Sequence, residues 1–409
     1  MSADQTYDIA IVGASYSGLV AAITAAKSSK VLLIEKRPKP GTPTNSTGAV
    51  PIEWLKNMGV YPSDDCIAGT ISGIELISPN DDSVQIRNSV PDGMVTYPDR
   101  YVNWLAERAQ DKGATLMTST VFRGLSGLDG SAAKGGNGKI AIETSKGTFH
   151  AKYVIGADGA ATAVGTAAGL GERPKAEDLH IGLEYHVKNT GFQDPQIFRL
   201  YLGHELAPLG YAWSFPEGDH SLKVGVGIPK SVGVTPKSLM VKFMKKYPQY
   251  DTHVSLSNGG IIPTAPPLKT AVKGNVVLVG DAAHFCSPLH GGGIWFGMES
   301  GALAGRALAE GNPQLYDKLW KEELGGVLSR HYKLKMVIYS MSDKNFDDLI
   351  AVLKTYVAKK GKGHGKVRMA SSVFFADPAF MLNMVGKWTK KGLGVDVIKR
   401  ALFPNFKIA

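Results

Sequence analysis

Residues 274–305 constrain the fold of this chain more than any other stretch. They read Gly-Asn-Val-Val-Leu-Val-Gly-Asp-Ala-Ala-His from 274 to 284, and Gly291-Gly292-Gly293-Ile294 then opens a run ending at Gly305. The uninterrupted apolar run at 275–279 is what a strand buried on both faces of a parallel sheet requires. Asp281 follows at its carboxyl end, where ligands of open α/β sheets sit. The three glycines predict a helix N-terminus whose backbone N–H groups a ligand can approach. Alone, the pattern also fits a plain strand, loop and helix.

The first fifty residues favour the ligand. Residues 7–12 form an apolar strand, Gly13-Ala14-Ser15-Tyr16-Ser17-Gly18 a loop, 19–27 an alanine-rich helix, and 31–34 a second apolar strand ending in Glu35. This is a βαβ unit with an acid about 20 positions after the loop, the arrangement that binds dinucleotides. Gly13 makes the turn and Gly18 lets the helix pack on the strand. Ser15 stands where the pattern prefers glycine, although its N–H can still donate to a phosphate. Glu35 would accept from ribose hydroxyls. A third apolar strand ends at Gly156-Ala157-Asp158-Gly159. Three strands thus deliver Gly13, Asp158 and Asp281 to what would be one sheet edge.

Between these blocks, Asn45-Ser46-Thr47-Gly48-Ala49-Val50-Pro51 offers a small-residue surface on which a flat ring could lie. Residues 71–78 and 83–88 alternate around a turn and predict a hairpin. Asp99 is a candidate cap for a helix over 101–112. Arg100 would sit in its first turn, as a phosphate ligand or a surface arginine. Residues 179–267 are strand-rich. Their Tyr211, Trp213 and Phe215 share one strand face, either as the wall of an apolar pocket or as ordinary core. From Pro313 on the pattern is helical, with a break at 361–365. The expected class is α/β (α+β). A Rossmann-like nucleotide-binding domain (1–178 and 268–312) carries an inserted antiparallel-sheet domain (179–267) and a helical, basic C-terminal region (313–409).

Composition narrows the setting. Two cysteines, Cys66 and Cys286, make neither a disulfide framework nor a metal cluster and suit a reducing compartment. Residues 1–5 lack the basic and apolar regions of a secretory leader, and no run of about 18 apolar residues predicts a spanning helix. A cytoplasmic protein, peripheral at the inner face of a membrane, is the expectation. The net charge of +10 lies wholly in residues 354–409, which hold twelve Lys/Arg and two Asp. Aromatic residues are interleaved there, which suits an anionic membrane surface or substrate, or else a solvated face. No motif supports a nucleic-acid partner.

The three blocks, in this order, resemble the FAD-containing flavoprotein superfamily that includes p-hydroxybenzoate hydroxylase. Within it the chain is most similar to the geranylgeranyl reductase family. The features that carry this are Ser46-Thr47-Gly48-Ala49-Val50-Pro51, Gly210-Tyr211-Ala212-Trp213-Ser214-Phe215-Pro216 with Gly225-Val226-Gly227, and Gly260-Ile261-Ile262-Pro263 leading to Gly280-Asp281-Ala282-Ala283, Pro288-Leu289 and Gly291-Gly292-Gly293-Ile294. The resemblance spans about residues 7–330 and implies FAD as cofactor. Gly13, Ala14, Ser15 and Gly18 would hold its pyrophosphate, Glu35 and Lys36 its ribose end, Arg100 its phosphates, and backbone near Val121 its adenine. Ser46, Thr47, Ala49, Asp158, Gly280, Asp281, Gly292, Gly293 and Ile294 would surround the remainder, with Asp281 on the ribityl chain and Gly293 and Ile294 at the isoalloxazine edge. Tyr211, Trp213, Phe215, Pro288 and His290 would line a prenyl tunnel completed by tail helices. A cysteine common in the family stands here as Ser46. The arginine expected near Gly165 is replaced, so the electron donor is NADPH, a ferredoxin or another reductant.

The implied reaction is saturation of isolated C=C bonds in geranylgeranyl chains of lipids, such as archaeal-type digeranylgeranylglycerophospholipids. The alternative is an FAD-dependent monooxygenase of an aromatic or polyketide substrate. Reduction needs an acid to protonate the carbon that hydride does not reach. His290, Tyr211 and a flavin-bound water are the candidates.

Overall fold

The computed structural model describes residues 6–43, 46–128, 139–171, 173–188, 194–218, 221–250 and 253–360. Five parallel strands lie in the order Val276–Leu278, Gly147–Gly156, Thr6–Val12, Val31–Ile34 and Thr115–Met117. Their inner residues, Ile9 to Val12, Val31 to Ile34 and Val276 to Leu278, are buried. Both faces are therefore covered, which is why these strands are continuous apolar runs rather than alternating ones. Val12 lies opposite Gly156, and Gly156 opposite Leu278. The three strand ends are level, so Gly13, Asp158 and Asp281 emerge together, as the sequence predicts.

Helices Tyr16–Ala25 and Ile294–Ala309 cross over this sheet in direct backbone contact. A Cβ on Gly301 would come within 2.2 Å of the Ser17 carbonyl oxygen. The second helix can therefore lie this close to the first only because position 301 has no side chain. This crossing sets where both N-termini point.

The second sheet has seven strands, in the order Val254–Pro263, Leu179–Lys188, Ser221–Pro229, Tyr211–Pro216, Ile197–Tyr201, Gly73–Ile77 and Ser83–Arg87. Helix Pro236–Lys246 buries Leu239, Met240, Phe243 and Met244 against the back of the sheet, beside Val224, Val226 and Ile228. The front faces the nucleotide-binding half. A small third sheet joins Ala49–Pro51, Gly93–Thr96 and Ile67–Ile71.

Three details differ from the sequence reading. The hairpin at 73–87 belongs to the second sheet, not to the nucleotide-binding domain that 1–178 would assign it to. Gly73–Ile77 pairs parallel with Ile197–Tyr201, whose outer edge would otherwise be bare. Asp99 is not a cap: the helix begins at Pro98, with Tyr97 at the cap position making no side-chain bond, and Asp99 is the acid of its first turn. Strand Val254–Pro263 was not foreseen as a strand, because its centre is Ser-Asn-Gly-Gly and its residues are mostly exposed.

The C-terminal region contributes helices Pro313–Trp320, Gly326–Tyr339 and Asp343–Lys360. Leu334, Val337, Phe346, Leu349 and Ile350 pack on Leu76 and Val84 of the hairpin. The basic residues beyond 360 and the break at 361–365 lie outside the described residues. No described helix is long and apolar enough to cross a membrane.

Gly301→Ala should destabilise the protein by about 1–3 kcal/mol, the usual cost of overpacking a tight contact. Urea unfolding of the FAD-free protein measures it; an unchanged midpoint would contradict the tight helix crossing.

Candidate active site

One cavity of about 910 Å³ runs from the level strand ends to the front of the second sheet. Of the residues singled out in the sequence, all but Gly18 and Arg100 line it. Gly18 lies beneath the first loop, where a Cβ would strike the Gly13 carbonyl oxygen at 1.9 Å. Arg100 faces outward: its guanidinium stacks 4.4 Å over the Tyr97 ring and donates to the Asp65 carbonyl. Because the helix starts at Pro98, Pro98 and Val102 take the cavity-facing positions instead.

The nucleotide end is built from backbone and carboxylates. Glu35 is buried and accepts from the Ala14 N–H (2.9 Å) and the Arg37 N–H (2.8 Å), which fixes the first loop and leaves further lone pairs on both oxygens. Asp158 Oδ2 accepts from the Val164 N–H (2.9 Å), while Oδ1 is buried without a partner among the described residues. Burial raises its pKa despite that bond. Asp281 is pushed up to about 6 by burial alone. A desolvated carboxylate with no compensating donor is costly, and it suits a ligand that brings hydroxyl donors. His290 Nε2 and Trp295 Nε1 are further buried polar atoms of the wall without partners among the described residues. These unfilled polar positions, beside a helix N-terminus at Gly293, fit FAD.

The substrate end is aromatic. Trp213 lies flat across Gly225 and Gly227 of the neighbouring strand; a Cβ at Gly225 would meet its ring at 2.2 Å. The Gly-Val-Gly spacing therefore exists to seat this indole. Its Nε1–H then reaches Glu184 Oε2 at 3.0 Å. Tyr211 donates to the His290 carbonyl at 2.5 Å, and Phe215 meets Phe198 edge-on at 4.9 Å. Ile338, Tyr339, Phe346 and Leu349 of the C-terminal helices close the far wall.

Neither candidate acid is poised for the task. The Gly292 N–H donates to His290 Nδ1 (3.2 Å), which assigns the ring proton to Nε2. Burial, followed by the neighbouring His331, holds His290 down to about 3. The ring is neutral at physiological pH and has no labile second proton. Burial raises the Tyr211 phenol, and its proton is committed to the His290 carbonyl.

The sequence reading missed two polar clusters in the wall. At one end Lys335, 2% exposed, donates to Asp178 (2.7 Å) and to the Thr264 hydroxyl and carbonyl, while Tyr339 meets His180 Nε2 at 2.9 Å. Burial, then Lys335, pushes His180 down to about 4. At the centre, the Thr47 hydroxyl donates to Glu184 Oε2 at 2.7 Å. The sequence carried no signal for Glu184: the register that sets it opposite Gly225, as Trp213 also is, puts it on the face that carries Trp213.

The comparisons agree with this geometry. The family model for the geranylgeranyl reductase catalytic domain matches residues 178–261, and that for an FAD binding domain matches residues 6–207. A digeranylgeranylglycerophospholipid reductase of Methanothrix thermoacetophila is 31% identical over 88% of this chain and 95% of its own length. The chain belongs to the geranylgeranyl reductase family. A second reductase of that name, from Methanosarcina acetivorans, is 33% identical over 85% of this chain and 88% of its own. A geranylgeranyl bacteriochlorophyll reductase-like structure from Thermoplasma acidophilum superposes with a TM-score of 0.83 at 25% identity, covering 94% and 99% of the two chains. PqsL from Pseudomonas aeruginosa, described as a probable FAD-dependent monooxygenase, shares the fold alone, with a TM-score of 0.64 at 14% identity over 85% of this chain and 100% of its own. The protein is an FAD-dependent oxidoreductase of the geranylgeranyl reductase type.

Asp281→Asn tests the nucleotide end. Burial penalises only the charged carboxylate, so the penalty is absent below about pH 4, the ordinary value for Asp. It grows as pH rises and is complete above about 6. The variant should stabilise FAD-free protein by about 1–3 kcal/mol at pH 8 and not at pH 4. It should also weaken FAD binding by about 10- to 100-fold through the lost charged acceptor. Thermal melts at the two pH values and a flavin fluorescence titration read both effects.

Proposed function

We propose that this protein saturates isolated C=C bonds of geranylgeranyl chains in an archaeal-type lipid of the digeranylgeranylglycerophospholipid class. The observation that carries this is one continuous cavity with a polar nucleotide end and an aromatic and aliphatic far end. Its volume of about 910 Å³ lies near the top of the range for ligand sites, ~300–1,000 Å³.

FAD, when bound and reduced, supplies the hydride. The residues of this chain bind, orient and exclude water. In the loop 13–15 the Gly13 and Ala14 N–H groups are bonded to the Ile34 carbonyl and Glu35, so the Ser15 N–H would meet the pyrophosphate, while Glu35 would accept from the ribose and Asp281 from the ribityl hydroxyls. Gly293 and Ile294 set a helix N-terminus, with its partial positive charge, at the edge of the ring system. Tyr211, Trp213 and Phe215, with the C-terminal helices opposite, hold the apolar chain in a dry slot. The electron donor is NADPH, a ferredoxin-like protein or another reductant. The basic residues of 361–409 would bring the protein to the anionic inner face of a membrane.

The monooxygenase alternative rests on a fold shared at 14% identity, whereas the match at 178–261 is to a reductase catalytic domain. One anaerobic experiment separates the two. The FAD is reduced with dithionite, excess reductant is removed, and a digeranylgeranyl glycerophospholipid is added while flavin absorbance and lipid mass are followed. The reductase reading expects one dihydrogen gained per flavin reoxidised. A flavin that stays reduced until oxygen is admitted, with an oxygen atom then appearing in an aromatic test substrate, would overturn it.

A further inference from the structure

Residues 221–250 hold six lysines and no acidic residue. Lys223 is buried against Glu217 and the Thr47 carbonyl, and Lys246 pairs with Asp81 at 3.0 Å. Lys230 precedes the helix Pro236–Lys246 and lies beside the turn Ala176–Asp178, which carries Glu177. The other three, Lys237, Lys242 and Lys245, stand on that helix, exposed and without an ion pair to a described residue. Leu239, Met240, Phe243 and Met244 take the side of the helix that faces the sheet. At about 3.6 residues per turn, the opposite arc carries Lys237, Val241, Lys245, Ser238 and Lys242 in that order around the helix. Val241, in the midst of the lysines, is 63% exposed, and Val234 in the approach to the helix is 46% exposed. A solvated helix face mixes signs, and acid–lysine pairs four residues apart stabilise it. Here the lysines repel one another. Lys237 also stands in the first turn, where the helix dipole disfavours a cation, and no acid accompanies it there. A partner that is anionic and accepts apolar side chains offsets both effects.

Ile261 extends the exposed apolar surface. It lies opposite Ile181, and Ile181 opposite Ile228, which is buried with the helix residues Leu239 and Met240. The register therefore puts Ile261 on the helix side of the sheet, and it is 58% exposed. Ile262 faces the other way: a Cβ on Gly182 would lie 3.6 Å from its side chain and 3.8 Å from Trp213. The strand Val254–Pro263 that carries both ends the sheet, and its residues 258–262 line the cavity. The basic, valine-bearing face and the cavity thus meet along one edge strand.

We propose that the outer face of helix Pro236–Lys246, bordered by Val234 and Ile261, is the surface by which the protein docks on an anionic lipid bilayer. Lys237, Lys242 and Lys245 meet the headgroup phosphates, and Val234, Val241 and Ile261 enter the boundary between headgroups and acyl chains. Docking in this way sets the edge strand against the bilayer, so that a membrane lipid reaches the cavity by passing around that strand. The face is separate from the basic residues of 361–409. One attachment tethers the protein; two fix its orientation. The inference rests on the reading above only in taking a membrane lipid as substrate.

The test uses full-length holoenzyme and sedimenting vesicles of equimolar phosphatidylglycerol and phosphatidylcholine. It reads no turnover, so its result is independent of the reductase reading. The triple variant Lys237→Gln, Lys242→Gln, Lys245→Gln should partition to these vesicles about 10- to 100-fold more weakly. The triple variant Lys27→Gln, Lys112→Gln, Lys318→Gln removes the same charge from exposed sites away from this helix and should bind nearly as wild type does. An environment-sensitive dye on Val241→Cys gives a second readout, because both native cysteines are buried. Its emission should shift to the blue with the anionic vesicles and not with phosphatidylcholine alone. The same dye on Val90→Cys, a site 67% exposed, should not shift. Wild-type protein that ignores anionic vesicles overturns the proposal. So does a helix variant that binds as wild type does, which leaves attachment to the tail, or a dye that shifts no more at Val241 than at Val90. A helix variant that keeps vesicle binding but accepts electrons more slowly from a reduced ferredoxin assigns the face to an acidic protein and overturns it as well. Should the helix variant lose FAD or melt early, the pair of dye sites decides.

Discussion

Thr47 is gripped at two points by the second sheet, its hydroxyl by Glu184 and its carbonyl by Lys223. Everything in the cavity depends on this grip. The 46–48 loop belongs to the nucleotide-binding half, and Glu184 and Lys223 stand on strands of the other half. Without the two bonds the small-residue surface and the aromatic wall would have no fixed separation. Burying Lys223 and three ionisable partners is costly, and apolar packing of equal volume would be no less stable. This cluster of Lys223, Glu217, His186 and Glu184 is therefore better explained by positioning than by stability. Burial alone would raise Glu217, yet His186 and Lys223 outweigh it and hold its carboxyl below the ordinary range. Glu217 therefore stays charged down to acidic pH, and what its pairing contributes is lost only as pH falls through that lowered value.

The nucleotide-binding half was legible because its signals are local. A strand buried on both faces must be an apolar run, and a carboxylate at its end must have a reason. Those rules place Gly13, Asp158 and Asp281 without knowledge of the rest. The hairpin at 73–87 was legible as a hairpin but not in its allegiance. Its sheet is chosen by a parallel partner over a hundred residues away, Ile197–Tyr201. Arg100 was misplaced by the same limit: a shift of the helix start to Pro98 turns that side chain outward.

Glu184 was missed for a different reason. One acid in an alternating strand reads as a solvent-facing residue. Its face is decided by the register that sets it opposite Gly225, and its value by an indole from a third strand. Trp213 and the glycine pair were both visible as motif residues. What the motif accomplishes, an N–H aimed at a carboxylate, appears only when three strands are assembled. His290 was attractive beside the glycines, but burial holds its ring neutral.

Two of the cavity carboxylates, Asp281 and Glu184, divide the labour by environment. Asp281 has no side-chain donor among the described residues and is raised by burial, so it gains most from a ligand that brings hydroxyls. Glu184 is already met by two protein donors on one oxygen, so it has little to offer a polyol and a free oxygen toward His186. Adding hydrogen across a C=C bond requires a proton at carbon in every turnover, whatever donates the electrons. In this chain Asn258 and Glu184 both line the cavity and both approach the His186 imidazole, at 2.9 and 3.8 Å.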